Sequence, residues 1–198
     1  VGDRVLLTAR APEERGRQDF VVQSSLPDVL PQLEAGATVT IDEGALEARV
    51  LDEARASASD EVALEVVHTA PRGVKMKANK GLNFPGTHLE LDPLTRKDRR
   101  DLDAIVGLVD IIGYSFVQSA DDVLRLHDEL RARGRAPEEV GIVAKIETGL
   151  AVKNLPEIIV AGAGVGPFGV MIARGDLAVE IGYRRLAEIQ EELLWLCE

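Results

Sequence analysis

The sequence predicts an α/β chain in two parts, a small all-β unit followed by three successive β/α units. Three observations predict it. Between Val5 and Ala70, apolar and polar residues alternate in short runs separated by turn signals, and no run of ten or more residues has helical period. Beyond about residue 90, helix-period stretches alternate with short, nearly continuous apolar runs, the pattern of parallel strands covered by helices. The polar residues that end those runs, Ser115, Glu147 and Asp176, follow one another at intervals of about 30 residues, the length of a βαβ unit.

In the first part, residues 5–10, 20–25, 38–44, 45–53 and 61–70 are predicted strands. Asp42-Glu43-Gly44 is a turn signal between two alternating runs and predicts a hairpin. The expected architecture is a small antiparallel barrel or sandwich. In the second part, residues 110–116 form the first strand. Ser119 caps a helix with Asp122 as its capping-box partner. Val123, Leu126 and Leu130 share one face of that helix, Glu129 precedes Arg133 by four residues, and Gly134 ends it. The next strand is 141–147. A helical stretch over 150–161 contains Pro156, which suits the start of a second short helix better than the middle of one long helix. The third strand is 168–174. The last helix, 183–197, is expected to bury Leu186, Ile189, Leu193 and Leu196, with Trp195 packed. Both an open doubly wound sheet and part of a (β/α) barrel fit these units.

The 198 residues are 45% hydrophobic, enough to bury a core, which excludes wholesale disorder. Lys plus Arg number 23 against 34 Asp plus Glu, a net charge of -11, and no basic face is evident. That composition argues against a nucleic-acid or anionic-membrane binder. No apolar run is long enough to span a bilayer. The single cysteine, Cys197, excludes an intrachain disulfide and a multi-cysteine zinc site and fits a reducing cytoplasm. It is expected as a structural thiol on the inner or flank face of the last helix. The chain starts at Val1 without a signal-peptide pattern, and the expectation is a piece of something longer.

In both candidate architectures the chemistry sits at the carboxyl ends of the strands. The polar residues there are Ser115, Lys145, Glu147 and the run Arg174-Gly175-Asp176. Lys145 and Glu147 are two apart on one strand and project to one face. Two carboxylates from consecutive strands, Glu147 and Asp176, suit a hard divalent cation such as Mg²⁺, and a lysine beside them can stabilise negative charge developing on an oxygen. Lys145 and Glu147 also fit a structural ion pair at a barrel rim. Gly175 allows close backbone approach to a ligand, and its amide with that of Asp176 would bind an anion if a helix starts there.

Other motifs carry less. Gly162-Ala163-Gly164-Val165-Gly166 is not a dinucleotide loop, because a helix precedes it and a strand follows. A flexible connector is expected. Lys75, Lys77 and Lys80 suit a solvated edge strand better than a phosphate-facing rim. His68, His88 and His127 share no ligand spacing, and His127 is expected at the surface or half-buried. Residues 96–101 alternate in sign and predict a solvated helix face.

Four motifs in order resemble the pyruvate kinase family. LTRKDRRDLDAIVGLVDIIGYSFVQSADDV is similar to a family segment ending in a strand that bears Ser-Phe. KANKGLNFPG (77–86) resembles KKGVNLPG, the return from the lid. IVAKIETGLAVKNLPEII (142–159) resembles the lysine-and-glutamate strand. GVMIARGDLAVEI (169–181) is very close to the signature GIMVARGDLGVEI. The resemblance spans the chain and is weakest over 1–64.

It implies a partial (β/α)8 TIM barrel, with residues 1–88 as the β-barrel lid inserted after the third strand and 89–198 as the fourth to sixth β/α units. It implies Mg²⁺- or Mn²⁺-dependent transfer of phosphate from phosphoenolpyruvate to ADP, giving pyruvate and ATP, a glycolytic reaction in the cytoplasm. Lys145 takes the place of the catalytic lysine, and Glu147 and Asp176 those of the metal ligands. Ala173, Arg174, Gly175 and Asp176 would receive the substrate carboxylate, Ser115 and Phe116 would line the pocket, and Lys80 and Asn83 would lie near the nucleotide phosphates. The family's K⁺ ligands are not in this chain, and the full-length parent is expected to be a homo-oligomer, a tetramer in the family. The chain departs from the pattern at Tyr114 and Gln118 around Ser-Phe, at Ala178 for a Gly and at Gly182 for a Pro. With barrel units on both sides missing, the chain alone is expected to have little turnover. A Mg²⁺-dependent lyase or aldolase of the phosphoenolpyruvate/pyruvate barrels and a non-catalytic paralogue are the alternatives.

Overall fold

The structure, a computed structural model, describes residues 1–9, 20–52, 61–87 and 89–197. Arg10, Glu53 and His88, which the sequence reading touched, lie outside the described residues. The chain divides into two compact units, Val1–Leu91 and Asp92–Glu198.

The first unit is one six-stranded sheet. Its strands are β1 (Arg4–Thr8), β2 (Phe20–Gln23), β3 (Thr38–Ile41), β4 (Leu46–Val50), β5 (Glu61–Thr69) and β6 (Leu82–Asn83), in the order β2-β1-β5-β4-β3-β6. A 3-10 turn over Pro27–Gln32 follows β2 and buries Val29 and Leu30. The alternation read from sequence sets the core: Leu7, Val39, Ile41, Ala48 and Leu64 point to one buried cluster. The hairpin is present. Ala45 N–H closes it on Asp42 O at 3.0 Å, and Asp42, Glu43 and Gly44 all have positive φ.

Two expectations are corrected here. The sheet is mixed rather than antiparallel, because β1 pairs with β2 in parallel, Val5 opposite Phe20. Lys75, Lys77 and Lys80 are exposed but lie in irregular chain, not on an edge strand.

The second unit is a three-stranded parallel sheet, β7 (Ile111–Tyr114), β8 (Gly141–Ile146) and β9 (Phe168–Ile172), in sequential order. Ile111 pairs with Gly141 and Ile142 with Phe168. Its helices are α1 (Arg96–Ile105), α2 (Ala120–Ala132), α3 (Gly149–Lys153), α4 (Leu155–Ala163), α5 (Arg174–Ile181) and α6 (Tyr183–Cys197). This is part of a (β/α) barrel: each parallel strand is followed by helix, and Ile142, Ala144 and Ile146 are fully buried against Val123, Leu126, Leu130, Leu155 and Ile158 of the helices.

Local chemistry starts and stops these helices where the sequence indicated. Ser119 Oγ accepts from the Asp122 N–H and the Asp122 carboxylate accepts from the Ser119 N–H, a complete capping box. Thr95 and Asp98 do the same for α1. α1 buries only Leu102, as a solvated helix does. Pro156 sits in the first turn of α4, and α3 has already ended at Lys153. Arg99 and Arg133 bracket Glu129 at 2.8 and 2.5 Å and tie α1 to α2.

Four expectations fail in this unit. Strand β9 stops at Ile172, and Arg174 already belongs to α5. On α6, Ile189 and Leu193 are buried, but Leu196 and Trp195 are exposed, as is Cys197. The last turn runs beyond the packed face. His127 is fully buried, because it lies four residues after Val123 and three before Leu130, on the same helical stripe. The glycine-rich stretch is close-packed rather than a flexible connector. A Cβ on Gly162 would stand 2.1 Å from the Phe168 ring, and one on Gly166 would stand 2.4 Å from Pro137 O.

Candidate functional site

The carboxyl ends of β7 and β8 bring four of the predicted residues together. Strand alternation turns Ile142, Ala144 and Ile146 toward the helices and puts Val143 and Lys145 on the opposite face, with Glu147 next in that series. Lys145 Nζ lies 2.7 Å from Glu147 Oε1 and 2.9 Å from Ser115 Oγ at the end of the neighbouring strand. The Phe116 N–H donates to Glu147 Oε2 at 2.5 Å. Both oxygens of one carboxylate are therefore engaged, one by an ammonium and one by an amide.

Burial makes this arrangement informative. Glu147 is 1% exposed, whereas the Lys145 side chain is 28% exposed. A buried carboxylate without partners costs several kcal/mol, so the ammonium and the amide are what make the site tolerable. Ser115 is exposed, and Phe116 is 51% exposed.

The end of β9 supplies the third group. Ile146 and Ile172 are paired across β8 and β9, and the Ala173 N–H donates to Ile146 O at 3.2 Å, extending the pairing one residue beyond the strand. Ala173 is the N-cap of α5 and provides no side-chain cap. Arg174 and Gly175 are exposed, and Asp176 is half-buried in the first helical turn, where the helix dipole favours a negative charge. The amides that open this helix form the kind of end that accepts an anion.

Lys80 and Asn83 belong to the first unit and form a separate group. Lys80 Nζ pairs with Asp42 Oδ1 of the β3–β4 hairpin at 2.7 Å, and this hydrogen bond holds its ammonium above the ordinary lysine pKa. Asn83 is buried on β6 opposite Thr40. Sequence reasoning took Asp42 for a turn residue only. The signal that it would meet Lys80 is a non-local one: Asp42 N–H bonds Gly81 O, which brings the two segments side by side.

Two further groups escaped the sequence reading. Thr148 Oγ1 accepts from the Ala151 N–H at 3.1 Å and so starts α3 immediately after Glu147. Its signal, a Thr at a strand-to-helix junction, was there to be read. Glu180, near the end of α5, is pushed above the usual carboxylate range by burial.

Parallel strands with their helices define a β/α-barrel protein, and the lysine, the buried carboxylate and the helix N-terminus lie at the strands' carboxyl ends, the face where such barrels carry their sites. The family model of the pyruvate kinase barrel domain matches residues 1–198. Pyruvate kinase of Geobacillus stearothermophilus is 34% identical over 179 residues, covering 89% of this chain and 28% of that protein. Pyruvate kinase of Agrobacterium vitis is 34% identical over 172 residues, 86% of this chain and 32% of that one. Pyruvate kinase 1 of Saccharomyces cerevisiae is 31% identical over 177 residues, 89% and 32% respectively. The chain belongs to the pyruvate kinase family. It spans about a third of the length of these curated relatives.

Proposed function

We propose that the protein to which this chain belongs transfers phosphate from phosphoenolpyruvate to ADP, giving pyruvate and ATP, and that this chain carries the charged centre of that reaction. One observation carries the reading: Lys145 and the buried Glu147 carboxylate stand 2.7 Å apart at the carboxyl end of β8, with Ser115 completing the contact.

The chemistry follows from the charges. The P–O bond to the enol oxygen breaks, a β-phosphate oxygen of ADP forms the new P–O bond, and the enolate left behind takes a proton at its methylene carbon. Negative charge moves across the phosphoryl oxygens and onto the enolate oxygen. The half-exposed Lys145 ammonium is a pre-placed positive charge for it, held in position by Glu147 and Ser115.

Glu147 and Asp176 supply hard oxygen donors of the kind Mg²⁺ takes, with Mn²⁺ as the nearest substitute. Among the described residues no group of three or more His, Cys, Asp or Glu side chains stands ready to enclose a metal. A cation held by two carboxylates and completed by substrate oxygens fits that donor set. Bound there, it would neutralise phosphoryl and enolate charge. The amides of Gly175 and Asp176, flanked by Ala173 and Arg174, would receive the substrate carboxylate. Ser115 and Phe116 would border the pocket, and Lys80 and Asn83 would serve the nucleotide. The family likeness supports a cytoplasmic, glycolytic, homo-oligomeric protein, with any K⁺ held by residues outside this chain.

The test is a coupled pyruvate assay on the full-length parent with Mg²⁺, K⁺, phosphoenolpyruvate and ADP. Lys145→Met is expected to lower kcat by about 10³-fold while substrate binding persists, the scale of losing one electrostatic stabiliser. Equal turnover in the variant and the wild type would overturn the role given to Lys145. A folded parent that makes no pyruvate would shift the reading to an enolate-forming lyase or a non-catalytic relative.

A further inference from the structure

Phe116 combines three features that sit badly together in an ordinary turn. Its φ is +55°, in the left-handed region where a bulky side chain is strained. The residue is 51% exposed, so burial of its side chain does little to offset that strain. Its N–H donates at 2.5 Å to the Glu147 carboxylate, which is 1% exposed.

The chain on either side of Phe116 is pinned. Tyr114 is buried, and its hydroxyl donates to Pro93 O at 3.1 Å. Ser115 Oγ meets Lys145 Nζ. Val117 is buried, the N–H groups of Gln118 and Ser119 both donate to Asp122 Oδ2, and Asn154 Nδ2 donates to Gln118 O at 2.9 Å. Strain of this kind persists only where the surroundings over-determine the backbone, and here they do. What the strained conformation achieves is the aim of one amide.

We propose that Phe116 is a positioning residue that acts through its backbone N–H: the left-handed turn directs that amide onto Glu147 Oε2 and fixes the carboxylate with its other oxygen at Lys145. The ring has no part in this task. The inference rests on Glu147 serving as a metal ligand, as set out above. A hydrogen bond to an ionised acceptor is stronger than one between neutral groups, and removing the donor leaves a buried carboxylate oxygen unpaired.

The test uses the full-length parent and Mn²⁺ binding followed by electron paramagnetic resonance. Replacing Phe116 with its α-hydroxy analogue turns the amide into an ester, which keeps the side chain, puts an oxygen that cannot donate in place of the N–H and weakens the Ser115 carbonyl as an acceptor. This change is expected to weaken Mn²⁺ binding by about tenfold or more. Phe116→Ala and Phe116→Gly keep the amide and should bind within about twofold of wild type, and Phe116→Gly should melt above Phe116→Ala because glycine accepts positive φ freely. An ester protein that binds like wild type, or Phe116→Ala as weak as the ester, overturns the inference.

A second readout needs neither the metal nor the ester. The Phe116 amide proton should resonate far downfield and move upfield in Glu147→Gln, whose acceptor is neutral. A resonance unmoved by that substitution also overturns the inference. If wild type binds no Mn²⁺, the metal reading fails, and the amide resonance alone decides what Phe116 does.

Discussion

The two units treat polar groups differently. Among the described residues, the buried polar side chains of the first unit are Thr8, Ser24, Thr40 and Asn83, none of them ionisable. Those of the second are His127 and Glu147, beside the phenol of Tyr114. Each unit also contains a lysine–carboxylate pair at 2.7 Å, and the two pairs could hardly be less alike. Lys80 and Asp42 are 37% and 31% exposed, so water screens them and the pair contributes little to stability. Glu147 is almost wholly withdrawn from solvent, where its charge depends on its partners. A domain selected for stability alone gains nothing from a buried carboxylate. The comparison teaches that burial of charge, more than the presence of an ion pair, is what sets the second unit's pair apart and makes it the candidate for chemistry proposed above.

The comparison is broken most sharply by deleting the two lysines. Lys145→Met leaves Glu147 with the Phe116 amide as its remaining partner. Breaking a buried pair costs about 3–5 kcal/mol, and because the lysine is partly exposed we expect about 2 kcal/mol here, read from urea unfolding of the second unit's signal. Lys80→Met should leave the melting temperature of the protein unchanged. Equal losses in the two variants would show that the pairs are equivalent and remove the argument from burial.

The second contrast concerns how each unit is packed, and it shows what a sequence can convey. The β/α periodicity, the Ser119–Asp122 capping box, the helix opened by Pro156 and the shared face of Lys145 and Glu147 are all local patterns, and all are present. The parallel direction in which β2 pairs with β1, the strand before it, is not written in the alternation of either strand. The Phe116 amide was equally hidden, because the side chain written in the sequence is not the group that touches Glu147. Glycines 162 and 166 were misjudged for a related reason. Glycine signals either freedom or close approach, and only the neighbours distinguish the two. Gly162 is in α4 with the Phe168 ring against it, so Gly162→Ala should cost about 1–3 kcal/mol by overpacking. Gly113 on β7 has nothing within 4 Å of a built Cβ, and Gly113→Ala should be near neutral by the same measurement. A tolerated Gly162→Ala would restore the flexible connector.

The smallest expected effect concerns the buried imidazole of His127. Glu147 has its charge satisfied, whereas neither ring nitrogen of His127 has a hydrogen-bond partner among the described residues. Burial, reinforced by Arg131 and opposed by Asp128 and Glu138, holds the imidazole below its ordinary pKa of 6.5. The unfolded chain therefore binds a proton before the folded one does, and stability should fall as pH drops below about 6.5. Glu180 works in the opposite sense. Its carboxyl is raised by burial, so it favours the folded state at low pH and loses that contribution as pH rises through its folded pKa. Only the difference between wild type and a variant isolates the histidine. His127→Leu should change stability by less than about 1 kcal/mol at pH 7.5, because an unpaired buried polar group gives way to an apolar one of similar size. Between pH 7.5 and 5 the variant's melting temperature should fall less than that of wild type. Parallel curves would mean that the buried imidazole is already paired, and that the second unit buries His127 and Glu147 on the same terms.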